Sequence, residues 1–306
     1  MSRLPEGLLL VDKCAGVTSH DMVAQVRRLT GQRKTGHAGT LDPFATGLLP
    51  MMLGRGTRLI RFLPSSPKSY EGVLELGRTT NTDDLTGEEL TVSDRPLPAP
   101  EEVLAQAGKL TGRLSQVPPA VSARKVDGER MYRLERRGEA VEAPATDVDI
   151  FDFSLGRTEN PALWSFRAQV SPGTYIRALA RDLGAALGCG GLLVSLRRTA
   201  IGPFRVEDAF PLPEWATLEQ VPDLPSRVIP LNDLPLDLPT LQIENLRETG
   251  LFLSGGRLVV GERFAPGAFI RVDDPDGVLL GVGENKGGVL QPRVVLPPPP
   301  QTGCPG

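Results

Sequence analysis

The chain has 306 residues, 40% hydrophobic and 23% charged, enough for a full-size core and a small second domain and unlike a disordered chain. A formal net charge of −3 argues against a uniformly basic surface, and no apolar run reaches the length of a membrane span. No leader pattern opens the chain, and Cys14, Cys189 and Cys304 show no C-x-x-C spacing, so the expectation is a reduced, cytoplasmic protein without a disulfide framework.

In chain order, GLLLVDK (7–13) is a continuous apolar run that reads as a buried strand. Thr18 or Ser19 caps a helix that carries Met22, Val23, Val26 and Leu29 on one face and closes at Gly31. The loop GHAGTLDPFATG (36–47) leads into the apolar stretch GLLPMMLG. YEGVLELG (70–77) alternates, with Tyr70, Leu74 and Leu76 on one side and Glu71 and Glu75 on the other. Residues 101–110 form a short helix. ALWSFRAQV alternates with Trp164, Phe166, Ala168 and Val170 inward. A helix from Thr174 follows, with Ile176, Leu179, Leu183 and Leu187 on one stripe and Arg177 in its first turn. Strands and helices mix without a βαβ rhythm, which predicts an α+β fold with a mainly antiparallel central sheet flanked by helices.

Residues 211–237 are proline-rich and weakly patterned, which predicts a linker. Beyond it, RLVVGE, AFIRVDD, VLLGVGE and PRVVL are short strand-like runs separated by turn residues, a small all-β module over 238–296. Residues 297–306 are expected to be a disordered tail.

Basic residues gather in three groups: Arg27, Arg28, Arg33 and Lys34; Arg55, Arg58 and Arg61; and Arg124, Lys125, Arg130, Arg133, Arg136 and Arg137. A mildly acidic chain can therefore carry a basic cleft. Two histidines and scattered cysteines argue against a metal site. GQRKTGHA (31–38) has phosphate-loop glycines but places His37 and Ala38 where the lysine and hydroxyl belong. GVGENKGG (281–288) lacks dinucleotide spacing.

Asp42 is a lone carboxylate in the loop 36–47. Taken alone, Leu-Asp-Pro reads as a turn initiated by the aspartate side chain. A two-carboxylate glycosidase needs a second acid within reach, and the sequence shows none beside Asp42.

GHAGTLDPFATG resembles the catalytic motif G-H-x-G-(T/A)-L-D-P-x-A-x-G of the TruB family of bacterial tRNA pseudouridine synthases. The resemblance continues in family order through KSYEG (68–72), TTNTDDLTG (79–87), QVPPAVSARKVDGERMYRLERRG (116–138), GTYIRALARDLG (173–184) and LRRTAIG (196–202). The terminal β module looks like a PUA domain. Cys14 stands where the family usually has proline after the lysine, and Asn81 where it usually has aspartate.

The resemblance implies a pseudouridine-synthase fold, with a catalytic domain over 1–210 and an RNA-binding insertion at about 124–144. It implies isomerisation of uridine to pseudouridine at position 55 of the tRNA T-loop, by base flipping, with no cofactor. Asp42 would be the nucleophile, Arg177 its partner, and Tyr70 would stack on the base and move a proton. His37 would fill the gap left by the flipped base. Lys13, Asp84, Lys125, Tyr132, Tyr175 and Leu196 complete the expected substrate- and RNA-binding set. The expected partner is the tRNA T-arm stem-loop, bound by a monomer with no membrane, protein or guide-RNA partner. Two other readings are an RNA-folding chaperone and the guide-RNA-dependent catalytic subunit of related archaeal and eukaryotic complexes. The intact Asp42, Tyr70 and Arg177 set favours catalysis over the first, although both could hold. The bacterial-like insertion and the absence of lysine-rich tails disfavour the second.

Overall fold

A computed structural model describes residues 4–120, 144–212 and 221–297, and the backbone of 125–126 and 129–130. The first part of the chain runs β1 (Gly7–Lys13), α1 (Ser19–Thr30), β2 (Thr35–His37), β3 (Thr46–Leu53), a 3-10 segment (Gly54–Phe62), β4 (Lys68–Leu76), β5 (Arg78–Thr80), β6 (Glu89–Val92), α2 (Pro100–Gly108) and β7 (Gly112–Gln116). Two short strands, β8 (Lys125–Val126) and β9 (Glu129–Arg130), pair with each other inside the insertion. Then come β10 (Thr146–Arg157), β11 (Leu163–Val170), α3 (Ile176–Ala186), β12 (Gly191–Ile201), β13 (Phe204–Arg205), β14 (Phe210–Pro211) and β15 (Val228–Pro230).

Among the described residues these build one eleven-stranded sheet, ordered β14-β1-β3-β12-β4-β11-β10-β7, with β13, β15 and β2 attached to β12, β1 and β3. All its pairings are antiparallel except β1 with β14 and β3 with β12. The fold is therefore α+β with a large mixed, mainly antiparallel sheet.

The apolar run of β1 has a structural cause: both its faces are covered. Leu9 and Val11 pack with Met22, Val23, Val26 and Leu29 of α1. Leu8 and Leu10 pack with Leu279, Val282, Val294 and Leu296 from the C-terminal part. Each such fully buried leucine stabilises the fold by about 1.5–3 kcal/mol relative to exposure. Thr18 caps α1 through the backbone N–H of Asp21, and Gly31 ends it at φ 66°. A third core joins Leu74, Trp164 and Phe166 of the sheet to Ile176, Leu179 and Leu183 of α3.

The described parts of the segment expected to be a linker, 211–212 and 221–237, instead contribute strands to the first sheet and side chains to its core. Phe210 lies beside Val11, and Val228–Pro230 pairs antiparallel with Gly7–Leu9. Leu212, Val221, Leu224 and Val228 are buried against α1 and β1. Pro211 and Pro230 lie in the short strands β14 and β15 and Pro225 in a 3-10 turn, where fewer backbone donors are needed. Gly7 is required by this pairing, because a Cβ there would meet the Ile229 carbonyl at 2.1 Å.

The C-terminal half-barrel contains β16 (Thr240–Gln242), β17 (Leu258–Val259), β18 (Phe269–Asp273), β19 (Leu279–Asn285) and β20 (Val289–Val295), ordered β16-β18-β19-β20-β17. It also carries a helix, α4 (Leu246–Leu253), capped by Asn245. Among the described residues no helix is long and apolar enough to cross a membrane.

Candidate active site

The loop between β2 and β3 is held by two buried cations that meet backbone carbonyls. Lys13 Nζ donates to the carbonyls of Cys14 (2.8 Å), Val17 (2.7 Å) and Pro43 (3.1 Å). From the other side, Arg198 donates to the carbonyls of Leu48 (2.8 Å), Gly39 (2.9 Å) and Thr40 (3.3 Å). Both side chains are 0% exposed. Ser19 Oγ bonds both backbone groups of Leu41. Gly47, at φ 101°, lets the loop cross β12, since a Cβ would meet the Arg198 carbonyl at 2.3 Å. Leu41 and Ala45 are buried, and Asp42 is turned outward between them.

Arg177 faces Asp42 from the first turn of α3. Its Nε lies 2.9 Å from Asp42 Oδ2. Its Nη1 donates to the Thr82 carbonyl at 2.8 Å and lies 3.4 Å from Asp84 Oδ2. Asp84 Oδ1 accepts from Thr82 Oγ1, Thr86 Oγ1 and the Thr86 N–H. The guanidinium is thus fixed from behind by a carboxylate whose own position is fixed. The start of α3 is set by Gln116, whose amide brackets Tyr175 by accepting from its N–H (2.8 Å) and donating to its carbonyl (3.1 Å).

Asp42, Tyr70, Tyr175, Arg177 and Leu196 converge on one cavity of about 200 Å³, together with Lys68. A larger groove of about 780 Å³ lies mainly on the open face of the sheet, beside Glu71, Val73, Arg167 and Ser195. The groove does not reach Asp42; Leu196 borders both spaces. The small cavity is where chemistry at a carboxylate can take place, and the open groove is a surface.

Five of the expected site residues therefore come together, and Asp84 stands directly behind Arg177. His37 lies on β2, half-buried and outside the cavity. Burial, and next the Arg198 guanidinium, push its pKa below the usual histidine value, so the ring is neutral near neutral pH. Lys13 requires a correction. It was expected to meet substrate or RNA, but its ammonium is enclosed and spent on three carbonyls, and burial lowers its pKa to about 8. The side chain of Lys125 and the whole of Tyr132 lie outside the described residues. Asn81 accepts from the Glu88 N–H at 2.9 Å and so closes the turn before β6. Cys14 is exposed.

Sequence reasoning missed Lys68, Gln116 and Arg198. Lys68 had a visible signal, since it precedes Tyr70 by two residues and so shares its face of β4. Arg198 had a weaker one: it pairs in register with Tyr70 across β12 and β4, a relation that needs the sheet order.

The profile of the TruB family pseudouridylate synthase (N terminal domain) matches residues 27–176, and that of the tRNA pseudouridylate synthase B C-terminal domain matches residues 177–226. Similar sequences include the tRNA pseudouridine synthase B of Thermobifida fusca (strain YX), 44% identical over 96% of this chain and 99% of the relative. That of Leifsonia xyli subsp. xyli is 44% identical over 97% of this chain and 98% of the relative. Among solved structures, the fold is similar to that in a Cbf5-Nop10-Gar1 complex, at TM-score 0.70 and 23% identity, covering 94% of this chain and 84% of that one. With a conserved-length match across both halves of the sequence and the fold agreeing, the chain belongs to the TruB family of tRNA pseudouridine synthases, which are isomerases.

Proposed function

We propose that the protein converts the T-loop uridine at position 55 of tRNA to pseudouridine, with Asp42 as nucleophile. The observation that carries this reading is the Asp42–Arg177 pair at the wall of a small, partly apolar cavity. The guanidinium pairs with the carboxylate and aims it, and no second acid lines the cavity among the described residues. Isomerisation needs no net hydrolysis, so one carboxylate that adds to the nucleotide and then leaves is sufficient.

A base stacked in the T-loop must leave its stack to enter such a cavity, at a cost of about a few kcal/mol. Tyr70 and Leu196, which line the cavity, offer it apolar surface, and the Tyr70 hydroxyl moves a proton in the final step. His37, which lies outside the cavity, fills the space left in the RNA. The basic insertion supplies phosphate contacts to the T-arm. The monomer acts without guide RNA or a protein partner, in the cytoplasm.

The test is incubation of the purified chain with an unmodified T-arm hairpin, followed by pseudouridine mapping. Conversion at position 55 by the wild type, and its loss in Asp42→Asn with hairpin binding retained, is the expected result. Conversion by Asp42→Asn near the wild-type rate would overturn the assignment of the nucleophile.

A further inference from the structure

Lys68 is the cavity residue for which the reading above has no use. It opens β4, in register with Val170 of β11 and Ile201 of β12, on the same face as Tyr70. Among the described residues its ammonium makes no hydrogen bond or ion pair, although the residue is only partly exposed. The other cation of the cavity, Arg177, is occupied by Asp42, Asp84 and the Thr82 carbonyl. Charged and titratable groups around Lys68 are Arg198 from β12, Tyr70 on its own strand, Asp42 from the loop, Tyr175 just before α3 and Arg177 in its first turn. A half-buried ammonium without an acid is unfavourable in the empty protein. It becomes favourable when the ligand itself develops negative charge.

Uracil develops that charge in either order of bond making. If the carboxylate takes C1′, the N1–C1′ electron pair leaves with the base and spreads over O2 and O4. If it adds to C6, the electron pair of the C5–C6 double bond moves to the C4 carbonyl as an enolate, and the N1–C1′ bond breaks afterwards, its electron pair staying with the base. In both routes C5 later bonds to C1′, the carboxylate departs, C5 loses a proton and N1 gains one, so the overall change is an isomerisation. We propose that the Lys68 ammonium meets the carbonyl edge of the target uracil and stabilises the negative charge that builds there. Lys68 is then a catalytic residue. This rests on the pseudouridine-synthase reading of the same cavity.

Protonation gives the inference a signature that packing alone would not. Burial, and next the Arg198 guanidinium, lower the pKa of Lys68 to about 8. Its useful form is the ammonium, so kcat/KM should fall as pH rises through about 8 in the wild type.

The experiment uses the full chain and the T-arm hairpin, with single-turnover rates and hairpin affinity measured for wild type, Lys68→Met, Lys68→Gln and Lys68→Arg across that pH range. Thermal unfolding confirms that each variant is folded, and the glutamine and arginine variants stand in if the methionine variant is not. Lys68→Met and Lys68→Gln should lose about 100-fold in rate with affinity within about threefold, the scale of removing one oxyanion donor. Lys68→Arg should recover part of the rate, and its profile should lose the fall near pH 8 because arginine stays charged. A hairpin carrying 5-fluorouridine, whose base bears negative charge more easily, should show a smaller wild-type to methionine ratio in the rate of adduct formation or release. Unchanged rates in the methionine and glutamine variants, a loss confined to affinity, or a wild-type rate that rises through pH 8 would each overturn the proposal. A wild type that makes no pseudouridine would overturn the underlying reading as well. Inactive Asp42→Asn beside fully active Lys68→Met would overturn this inference alone.

Discussion

Nε of Arg177 lies 2.9 Å from Oδ2 of Asp42, yet the arginine side chain is 4% exposed and the aspartate 36%. The cation is anchored inside the protein and the anion stands at the cavity wall. That asymmetry fits a nucleophile that must stay ionised while remaining reachable.

Arg177→Met should therefore reduce the rate by orders of magnitude and also destabilise the fold, by about 3–5 kcal/mol, because Asp84 loses its buried partner. Arg181, one turn further along α3, is 27% exposed and pairs with Asp83 and Asp182. Arg181→Met should cost about 1–2 kcal/mol of stability and leave the rate close to wild type. Single-turnover assays with urea unfolding separate the two. Equal rate losses at both positions would mean that Arg177 has no special relation to the nucleophile.

Arg198→Met removes the donor of three carbonyls, those of Gly39, Thr40 and Leu48. A buried polar group left unsatisfied costs about 1–3 kcal/mol, so urea unfolding should show a large loss. Arg198→Lys should recover only part of it, since one ammonium cannot span three divergent carbonyls. A second readout is His37, whose pKa the Arg198 charge helps to lower. In folded Arg198→Met its NMR titration should move upward, while in Arg198→Lys it should stay low. An unchanged His37 titration in the methionine variant would count against this electrostatic coupling.

The lysine at position 68 predicts a trade between stability and activity. Its pKa is about 8 in the folded protein and about 10.4 in an unfolded chain. Below about pH 8 both states carry the charge, and the fold bears the full cost of burying it. Between the two values the unfolded chain binds more protons, so stability from this group rises with pH. Lys68→Met should be more stable than wild type at neutral pH, and the gap should close as pH climbs from about 8 towards 10.4. Denaturant unfolding at several pH values checks it; a constant gap would mean that the ammonium bears no burial cost.

The motif blocks of the sequence carried the cavity, because each placed its residue on an element with a readable period. Tyr70 sits on an alternating strand, Arg177 on an amphipathic helix start, and Asp42 in a glycine- and proline-marked turn. The cations that hold the loop were not readable, since the roles of Lys13 and Arg198 depend on strands that meet only in the folded sheet. The proline-rich stretch misled for a related reason. Leu212, Val221, Leu224 and Val228 are too widely spaced for a periodic pattern, yet all pack on α1 and β1. Leu224 is 0% exposed, so Leu224→Ala should cost about 2–5 kcal/mol. A loss below 0.5 kcal/mol, roughly the surface scale, would restore the linker reading.

The grip on RNA should lie in the insertion. Arg124, Lys125, Arg130, Arg133, Arg136 and Arg137 gather there on a chain of net charge −3. The strands that flank it pair with each other, Gln116 of β7 beside Thr146 of β10. Deleting residues 126–140 should therefore leave the sheet intact and the melting temperature little changed. Each phosphate contact releases counterions, so log affinity falls with log salt by about 0.7–0.9 per contact. The deletion should weaken hairpin binding and flatten that slope by several such steps. Truncating the C-terminal half-barrel is a poor control, since it would uncover Leu8 and Leu10, which pack on Val282 and Val294. Charge substitutions on the half-barrel, Arg257→Gln and Arg263→Gln, keep that core and should change the slope less than the deletion does. If the deletion bound the hairpin with unchanged affinity and slope while these substitutions weakened it, the principal RNA contact would belong to the half-barrel.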